Sequence, residues 1–247
     1  VRGASAATRY PGRATHMTTA LLSIAHHLGF KGNPQLAIET SEAHGGYTHR
    51  HEFDDSGQIA TVTHTGAHNE IRSTYRYDPI KREVEHIYTQ RNGYTTRAIT
   101  KLDHLGRELQ TEIYTLPDGK LVQRNLVERG PTWIRRTQLN NDRVVTRIHE
   151  ELDPLGRCVK SATKGRRAPK PTIAHYTYDQ HDNVATVVRF GPFGTITRES
   201  YEREYDQHGN WTLERRYEWN RLESRYELKS TLTRRLTYFT AAQAAGG

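Results

Sequence analysis

The stretch Tyr201–Trp219, YEREYDQHGNWTLERRYEW, has the pattern of two β-strands joined by a tight turn. Apolar and charged residues alternate with a period of two, which is typical of a strand with one buried and one solvated face. A helix would need apolar residues three and four positions apart, where this stretch has Arg and Glu. The residues expected to share a face are Tyr201, Arg203 and Tyr205 before the turn, and Trp211, Leu213, Tyr217 and Trp219 after it.

The turn between these strands is specified by Asp206 and by the pair Gly209-Asn210. An Asp side chain can bond backbone N–H groups about two residues further on, and Gly and Asn tolerate a positive φ. The unit is therefore an aromatic strand, an Asp-capped turn and a second aromatic strand.

The same unit recurs as an aromatic residue or Leu, an Asp, two variable residues, and a Gly followed by Arg, Asn or Gln. Two of its six copies are looser, because Lys81 and Asp182 stand in the Gly place. Its six aspartates are separated by 24, 25, 50, 26 and 27 residues, so the interval of 50 spans two periods. We therefore expect a degenerate copy near Glu128 and another at Arg225–Lys229. Six copies at nearly constant spacing predict tandem β-hairpins, whereas one would carry no information. The structural turn residues are Asp54, Asp78, Asp103, Asp153, Asp179 and Asp206.

The repeated motif, best represented by YDQHGNW at Tyr205–Trp211, resembles the YD-repeat (RHS) family over about residues 47–239. The resemblance implies an all-β scaffold, in which tandem hairpins form a large curled antiparallel sheet or a barrel-like shell. It also implies carbohydrate binding, association with toxins, and a secreted or cell-surface location. The core segment that ends the shell of large family members has no counterpart here, so we expect a scaffold and not a complete toxin.

The composition fits a thin apolar layer within a largely solvated sheet. Hydrophobic residues make up 34% of the chain, below the usual share of about 45–50%, and the mean hydropathy is −0.86. Low hydrophobicity can indicate disorder, but here the aromatic residues recur at strand positions. Eight hairpins would supply about 16 strands, which is too many for a flat open sheet, so the sheet is expected to curl or close.

Charge and cysteine content restrict the partners. The net charge of +8 predicts attraction to polyanions. Because 36 basic residues are mixed with 28 acidic ones, we expect much of the charge to form cross-strand pairs.

The single Cys158 excludes an internal disulfide and a multi-cysteine zinc site. No apolar run approaches the roughly 18 residues of a membrane helix, and no membrane partner is predicted.

Four segments are expected along the chain. Residues 1–16 have the composition of an expression leader. Residues 17–46 are predicted to form a short N-terminal helix and a polar linker, since His26-His27 and the lack of a basic start disfavour a signal peptide. Residues 47–239 form the repeat sheet, and residues 240–247 a flexible tail.

The sequence contains no motif that indicates an enzyme or a cofactor, such as Gly-x-Ser-x-Gly, a P-loop or His-Glu-x-x-His. His49 and His51 could share a strand face and bind zinc or nickel with His64 or His68 as a third ligand. Surface histidines on a polar sheet are the preferred interpretation, so no metal site is predicted. The repeated aspartates are too far apart for a calcium loop.

Basic residues beside aromatic ones favour a binding function. Rings stack on sugars or bases, and Arg pairs with sulfate, carboxylate or phosphate. The leading hypothesis is a non-enzymatic scaffold that binds a glycan, another anionic polymer or a protein partner. Alternatives are nucleic-acid binding by the basic face and a shell or immunity component of a toxin system, and bare sheet edges would favour oligomers. The candidate ligand-binding residues are Trp211, Arg215, Tyr217 and Trp219, together with Lys164, Arg166, Arg167 and Lys170 in the loop KGRRAPKP.

Overall fold

A computed structural model of the chain describes residues 34–41, 47–53, 59–66, 70–78 and 80–238. These residues form sixteen antiparallel β-strands and no helix. Consecutive strands pair as hairpins, and β1 pairs with β16, so the sheet closes into a barrel. The strands are β1 (Pro34–Ser41), β2 (Tyr47–Phe53), β3 (Ile59–Gly66), β4 (Glu70–Asp78), β5 (Glu83–Gln90), β6 (Thr95–Leu102), β7 (Glu108–Leu116), β8 (Leu121–Arg129), β9 (Trp133–Asn140), β10 (Arg143–Leu152), β11 (Cys158–Gly165), β12 (Thr172–Tyr178), β13 (Val184–Phe190), β14 (Ile196–Tyr205), β15 (Trp211–Asn220) and β16 (Arg225–Tyr238).

The closed barrel confirms the all-β class and the prediction that so many strands do not stay flat. It decides between the two predicted architectures in favour of the barrel and against an open curled sheet. Closure also pairs both terminal strands of the sheet, so the bare edges through which we expected oligomers are absent from the described strands.

One strand of the barrel comes from the segment assigned to the linker. Residues 34–41 form β1, which pairs with both β2 and β16. The sequence of this strand, PQLAIETS, has no aromatic residue, and the turn motif is not next to it. The linker assignment is therefore corrected to a barrel strand for these residues. The leader, the predicted helix, the tail and the turn at Asp54 lie outside the described residues.

The two faces of the sheet differ in burial. Side chains alternate between the faces along a strand, and directly paired residues share a face. The buried residue Ala98, for example, pairs with buried His86 on one side and buried Ile113 on the other. Side chains converge on the concave side of a closed barrel and shield one another, so the buried face is the inner wall. The apolar residues buried there are Ala37, Phe53, Val62, Ala98, Ile113, Val127, Ala174, Val187 and Trp211.

The Asp-capped turns have the predicted geometry. At Asp103, Oδ1 accepts hydrogen bonds from the backbone N–H groups of Leu105 (2.8 Å) and Arg107 (2.9 Å). Gly106 has a φ of +74°, which closes the turn. At Asp153, Asp179 and Asp206, Oδ1 likewise accepts from the backbone N–H groups two and four positions after the Asp. At Asp78 it accepts from those two and three positions after it.

The two degenerate copies differ from the prediction. Glu128 lies within β8 and forms an ion pair with Arg135 at 3.1 Å, and the hairpin turn follows it at residues 130–132. Its longer side chain pairs across the strands and does not cap the turn. Arg225–Lys229 is not a turn: it begins β16, the strand that closes the barrel.

Because neighbouring strands run in opposite directions, their connections alternate between the two ends of the barrel. The Asp turns that the structure describes lie at one end, which we call the Asp rim. The described connections at the opposite end are β5–β6, β7–β8, β9–β10, β11–β12, β13–β14 and β15–β16, and we call this end the basic rim.

Candidate binding surfaces

The basic rim carries a strong excess of exposed positive charge. Nine exposed cations lie in its described connections or in the strand ends beside them, against the three acidic residues Asp118, Asp142 and Glu223. Four exposed aromatic rings, those of Tyr94, Phe190, Phe193 and Tyr226, lie among them. The cations are Arg91, Lys120, Arg143, Lys164, Arg166, Arg167, Lys170, Arg221 and Arg225.

The loop between β11 and β12 supplies the densest part of this charge. Arg166, Arg167 and Lys170 are exposed and form no ion pair with any residue that the structure describes. The acidic residues of the rim have other partners: Asp142 pairs with Arg124 at 3.3 Å, and Glu223 pairs with Arg225. The loop therefore presents uncompensated cations to solvent.

Cations on the outer wall are, in contrast, frequently paired with carboxylates on the neighbouring strand. This confirms the predicted cross-strand pairing. Such pairs neutralise charge locally, although exposed ion pairs add little stability. Examples are Arg97–Glu85 (2.6 Å), Arg124–Glu112 (3.0 Å), Lys160–Glu151 (2.6 Å) and Arg215–Glu204 (3.2 Å).

The aromatic residues predicted to bind ligand do not form one surface. Trp211 is buried on the inner wall, where the Arg234 guanidinium lies 3.5 Å from its ring centroid. Tyr217 faces outward and donates a hydrogen bond to Glu202 at 2.9 Å. Trp219 contacts the ring of Tyr226 edge-on, with 5.1 Å between the centroids.

A β-bulge explains why Trp211 leaves the expected face. Tyr205 pairs with Trp211 and Glu204 pairs with Leu213, so Thr212 is an extra residue in β15. An extra residue reverses the alternation of side chains on its strand. The prediction that Trp211 shares a face with Leu213 and Tyr217 is therefore corrected.

Three histidines lie together on the inner wall, next to the seam of the barrel, which is the contact where β1 pairs with β16. Glu39, His49 and His64 are direct neighbours across β1, β2 and β3, and His51 follows His49 on the same face. The His64 Nδ1 and His49 Nε2 atoms are in hydrogen-bond contact. His51 is 1% exposed, so the interpretation of these residues as surface histidines is wrong for His51. His68 lies outside the described residues.

Arg234 extends this row onto β16, where it pairs directly with Glu39. Its Nε donates to Glu39 Oε1 at 2.9 Å, and its NH2 group contacts the same oxygen. The other carboxylate oxygen, Oε2, lies 3.9 Å from His51 Nε2. Sequence reasoning missed this pair because its members are separated by 195 residues and Glu39 was assigned to a linker.

Burial keeps the imidazoles of this cluster neutral at neutral pH. Burial, followed by the neighbouring His64, lowers the pKa of His49 to about 4, against a smaller opposing effect of Glu39. Burial also lowers the pKa of His51, and Arg234 adds to the effect while Glu39 opposes it. The pKa of His64 is lowered by burial. Each ring therefore has an unprotonated nitrogen available as a ligand.

No family model and no curated protein matches the sequence. The fold is similar to that of solved porin-like proteins. A porin-like protein from Bacteroides uniformis ATCC 8492 matches with a TM-score of 0.61 and 9% identity over 84% of this chain and 99% of that one. A porin-like protein from Bacteroides vulgatus ATCC 8482 matches with a TM-score of 0.54 and 12% identity, over 83% and 98% of the two chains. Identities this low show a shared fold and no more.

Within the described ranges, no helix is long and apolar enough to cross a membrane.

Proposed function

We propose that this protein is a non-enzymatic β-barrel whose outer wall is in contact with water and which binds an anionic polymer at its basic rim. The observation that carries the proposal is the contrast between the unpaired cations of the loop and the paired cations of the outer wall. An Arg without a carboxylate partner keeps its planar fork free to bind sulfate, carboxylate or phosphate.

A polymer with regularly spaced charges fits the rim better than a small anion. Neighbouring strands lie about 4.8 Å apart, so successive connections at one end recur about every 10 Å. Cations from several connections would then contact one chain, with Tyr94, Phe193 and Tyr226 available to stack on its rings. We favour a sulfated or uronate-containing glycan. Single-stranded nucleic acid is the second candidate, because bases stack on exposed aromatic rings in the same manner.

The likeness to porin-like proteins raises a different function, that of a membrane channel. A lipid-facing barrel needs an outward apolar band about 25 Å tall, and Arg or Lys at its midplane costs roughly 2–4 kcal/mol. The ion pairs Arg97–Glu85 and Arg124–Glu112 occupy the outer wall away from the strand ends. These charges argue for an outer wall in contact with water.

We also propose that the barrel is built from YD repeats and acts at the cell surface or after secretion, as the family resemblance implies. The shared hydrogen bonding of the Asp turns supports this assignment. A shell fragment or an immunity component of a toxin system stays an alternative hypothesis.

The test is binding of the purified protein to heparin, a neutral glycan panel and single-stranded DNA, each at low and high salt. The rim variant R166E/R167E/K170E is compared with R76E/K101E/R235E, which reverses three exposed outer-wall cations near the other rim. We expect heparin binding at low salt that falls at least about tenfold in the rim variant and little in the control variant. For DNA, loss of three phosphate contacts would lower the salt slope by about 2.

Two outcomes would overturn the proposal. Equal losses in both triple variants would show that only net charge matters and that the rim is not a site. Leakage of dye from anionic vesicles, or detergent-dependent solubility, would favour a membrane barrel. Salt-resistant binding to a single glycan would instead support the rim as a glycan site.

A further inference from the structure

The cluster of Glu39, His49, His51 and His64 has the donor set of a zinc site. Zn²⁺ is bound in proteins by imidazole nitrogens and carboxylate oxygens, and structural sites have four protein ligands in a tetrahedron. The four residues come from three adjacent strands and lie on the same wall of the barrel. The register places them side by side, without any loop whose position is variable.

The donor atoms are already close together. One ligand atom each from Glu39, His49 and His51 lies within 4.8 Å of the other two, and His64 is in contact with His49. Ligands about 2.0–2.1 Å from a tetrahedral Zn²⁺ lie roughly 3.3 Å apart. The separations within 4.8 Å are somewhat longer than this, so side-chain rotations must bring the donors together around the ion.

Arg234 positions the carboxylate ligand. The Nε and NH2 groups of Arg234 both contact Oε1 of Glu39, and the other carboxylate oxygen, Oε2, lies 3.9 Å from His51 Nε2. Such hydrogen bonds to a ligand fix its orientation. The positive guanidinium of Arg234 repels a nearby Zn²⁺ ion. Most of the affinity for Zn²⁺ must therefore come from the three imidazoles, which bind the metal in their neutral form.

We propose that Glu39, His49, His51 and His64 bind one Zn²⁺ ion on the inner wall, at the seam where β1 meets β16. With four protein ligands, the ion has a structural role. It fastens β1, β2 and β3 to one another beside the contact that closes the barrel. The site is independent of the basic rim and of any ligand that binds there.

The test is calorimetric titration of the chelator-treated full chain with Zn²⁺. The double variant H49Q/H64Q removes two ligands, and H149Q/H175Q removes two exposed outer-wall histidines as a matched control. We expect one tight equivalent in the wild type and in H149Q/H175Q. Affinity should fall in H49Q/H64Q by more than the roughly 100-fold that loss of a hydrogen-bonding partner of a ligand can cost. Weak binding by other histidines would be equal in both variants.

Two further readouts keep the test decisive. Zn²⁺ should raise the Tm of the wild type and of H149Q/H175Q but not that of H49Q/H64Q. Co²⁺ should give the intense visible bands of a tetrahedral site, which the single variant H64Q would weaken even if the double variant failed to fold. The proposal is overturned if no tight equivalent binds, or if it survives in H49Q/H64Q.

Discussion

The hydroxyl groups of Tyr205 and Tyr238 tie neighbouring hairpins together at the Asp rim. Tyr205 donates to Asp179 Oδ2 and accepts a hydrogen bond from Asn183 Nδ2 at 3.1 Å. Tyr238 forms the same pair of bonds one unit later, with Asp206 and Asn210. Tyr205 directly precedes Asp206, so the aromatic residue of one motif copy takes part in the hydrogen bonding of the turn before it, at Asp179.

Replacing Tyr205 by Phe should lower the free energy of unfolding by about 1–2 kcal/mol, because Asp179 loses a partner for its charged oxygen. Urea denaturation measures this loss. The matched control is Tyr226→Phe, whose ring is exposed, and its effect should stay within about 0.5 kcal/mol. Equal effects in the two variants would mean that water replaces the Tyr205 hydroxyl without cost.

A buried histidine should make stability depend on pH. His86 is 3% exposed and stacks on Tyr75 with 4.5 Å between the ring centroids. Burial lowers its pKa to about 4, from an ordinary value of about 6.5. The unfolded chain therefore takes up a proton at a higher pH than the folded chain. The stabilisation is complete above about pH 6.5 and is lost as the pH falls toward 4.

In the variant His86→Gln, we expect the free energy of unfolding to depend less steeply on pH between 6.5 and 4. The number of protons taken up on unfolding in this range should be smaller by up to about one. Urea titrations at several pH values measure this slope. The exposed outer-wall residue His175 supplies the control variant His175→Gln, which should leave the slope unchanged. An unchanged slope in His86→Gln would contradict the assignment of the pH dependence to His86.

At the scale of the element, each Asp turn is a local structure that its own residues specify. In the turn after β10, Asp153 caps the N–H groups of Leu155 and Arg157, and Gly156 has a φ of +79°. A Cβ atom at Gly156 would meet nothing within 4 Å, so any cost of a side chain arises from the backbone conformation alone.

Replacing Gly156 by Ala should therefore cost about 1–2 kcal/mol, the penalty of a side chain in the left-handed region. Gly165 is a close control, because a Cβ atom there also has open space but no positive φ is needed. Gly165→Ala should be neutral or stabilising, since it restricts the unfolded chain. Thermal and urea unfolding of both variants would measure the difference, and equal stabilities would contradict the argument.

At the scale of the whole molecule, barrel closure places a buried ion pair on the seam. Both Arg234 and Glu39 are almost completely buried, and the ring of Trp211 covers the guanidinium. Burial lowers the pKa of Arg234, and the adjacent Glu39 opposes that shift. Removing one member of such a pair leaves the other charged and unpaired, which is more costly than removing both.

The variant Glu39→Leu should lose about 3–5 kcal/mol of unfolding free energy, and Glu39→Leu/Arg234→Met should recover much of that loss. A chelator in the urea titration excludes any contribution from metal. Glu85→Gln breaks an exposed ion pair of the outer wall and should cost no more than about 1 kcal/mol. A double variant that is as unstable as Glu39→Leu would show that packing at the seam dominates over charge.

The repeat spacing predicted much of this architecture, including the antiparallel hairpins, the Asp turns and a sheet of about 16 strands that curls or closes. It missed β1 because the strand has no turn motif beside it, although Leu36 and Ile38 alternate with small and polar residues. It also placed Trp211 with Tyr217, because a bulge leaves no trace in the period-two pattern. The YD-repeat assignment and the ligand hypotheses stay predictions.

The amino-acid sequence by itself determined the strands and turns, because their bonds join residues close along the chain: Asp103, for example, caps groups two and four positions away. The tertiary structure alone decided which strands close the barrel and which face is buried. It also decided that Glu39 lies between Arg234 and the histidines. These contacts depend on the register of strands that are distant in sequence, and no local pattern encodes that register.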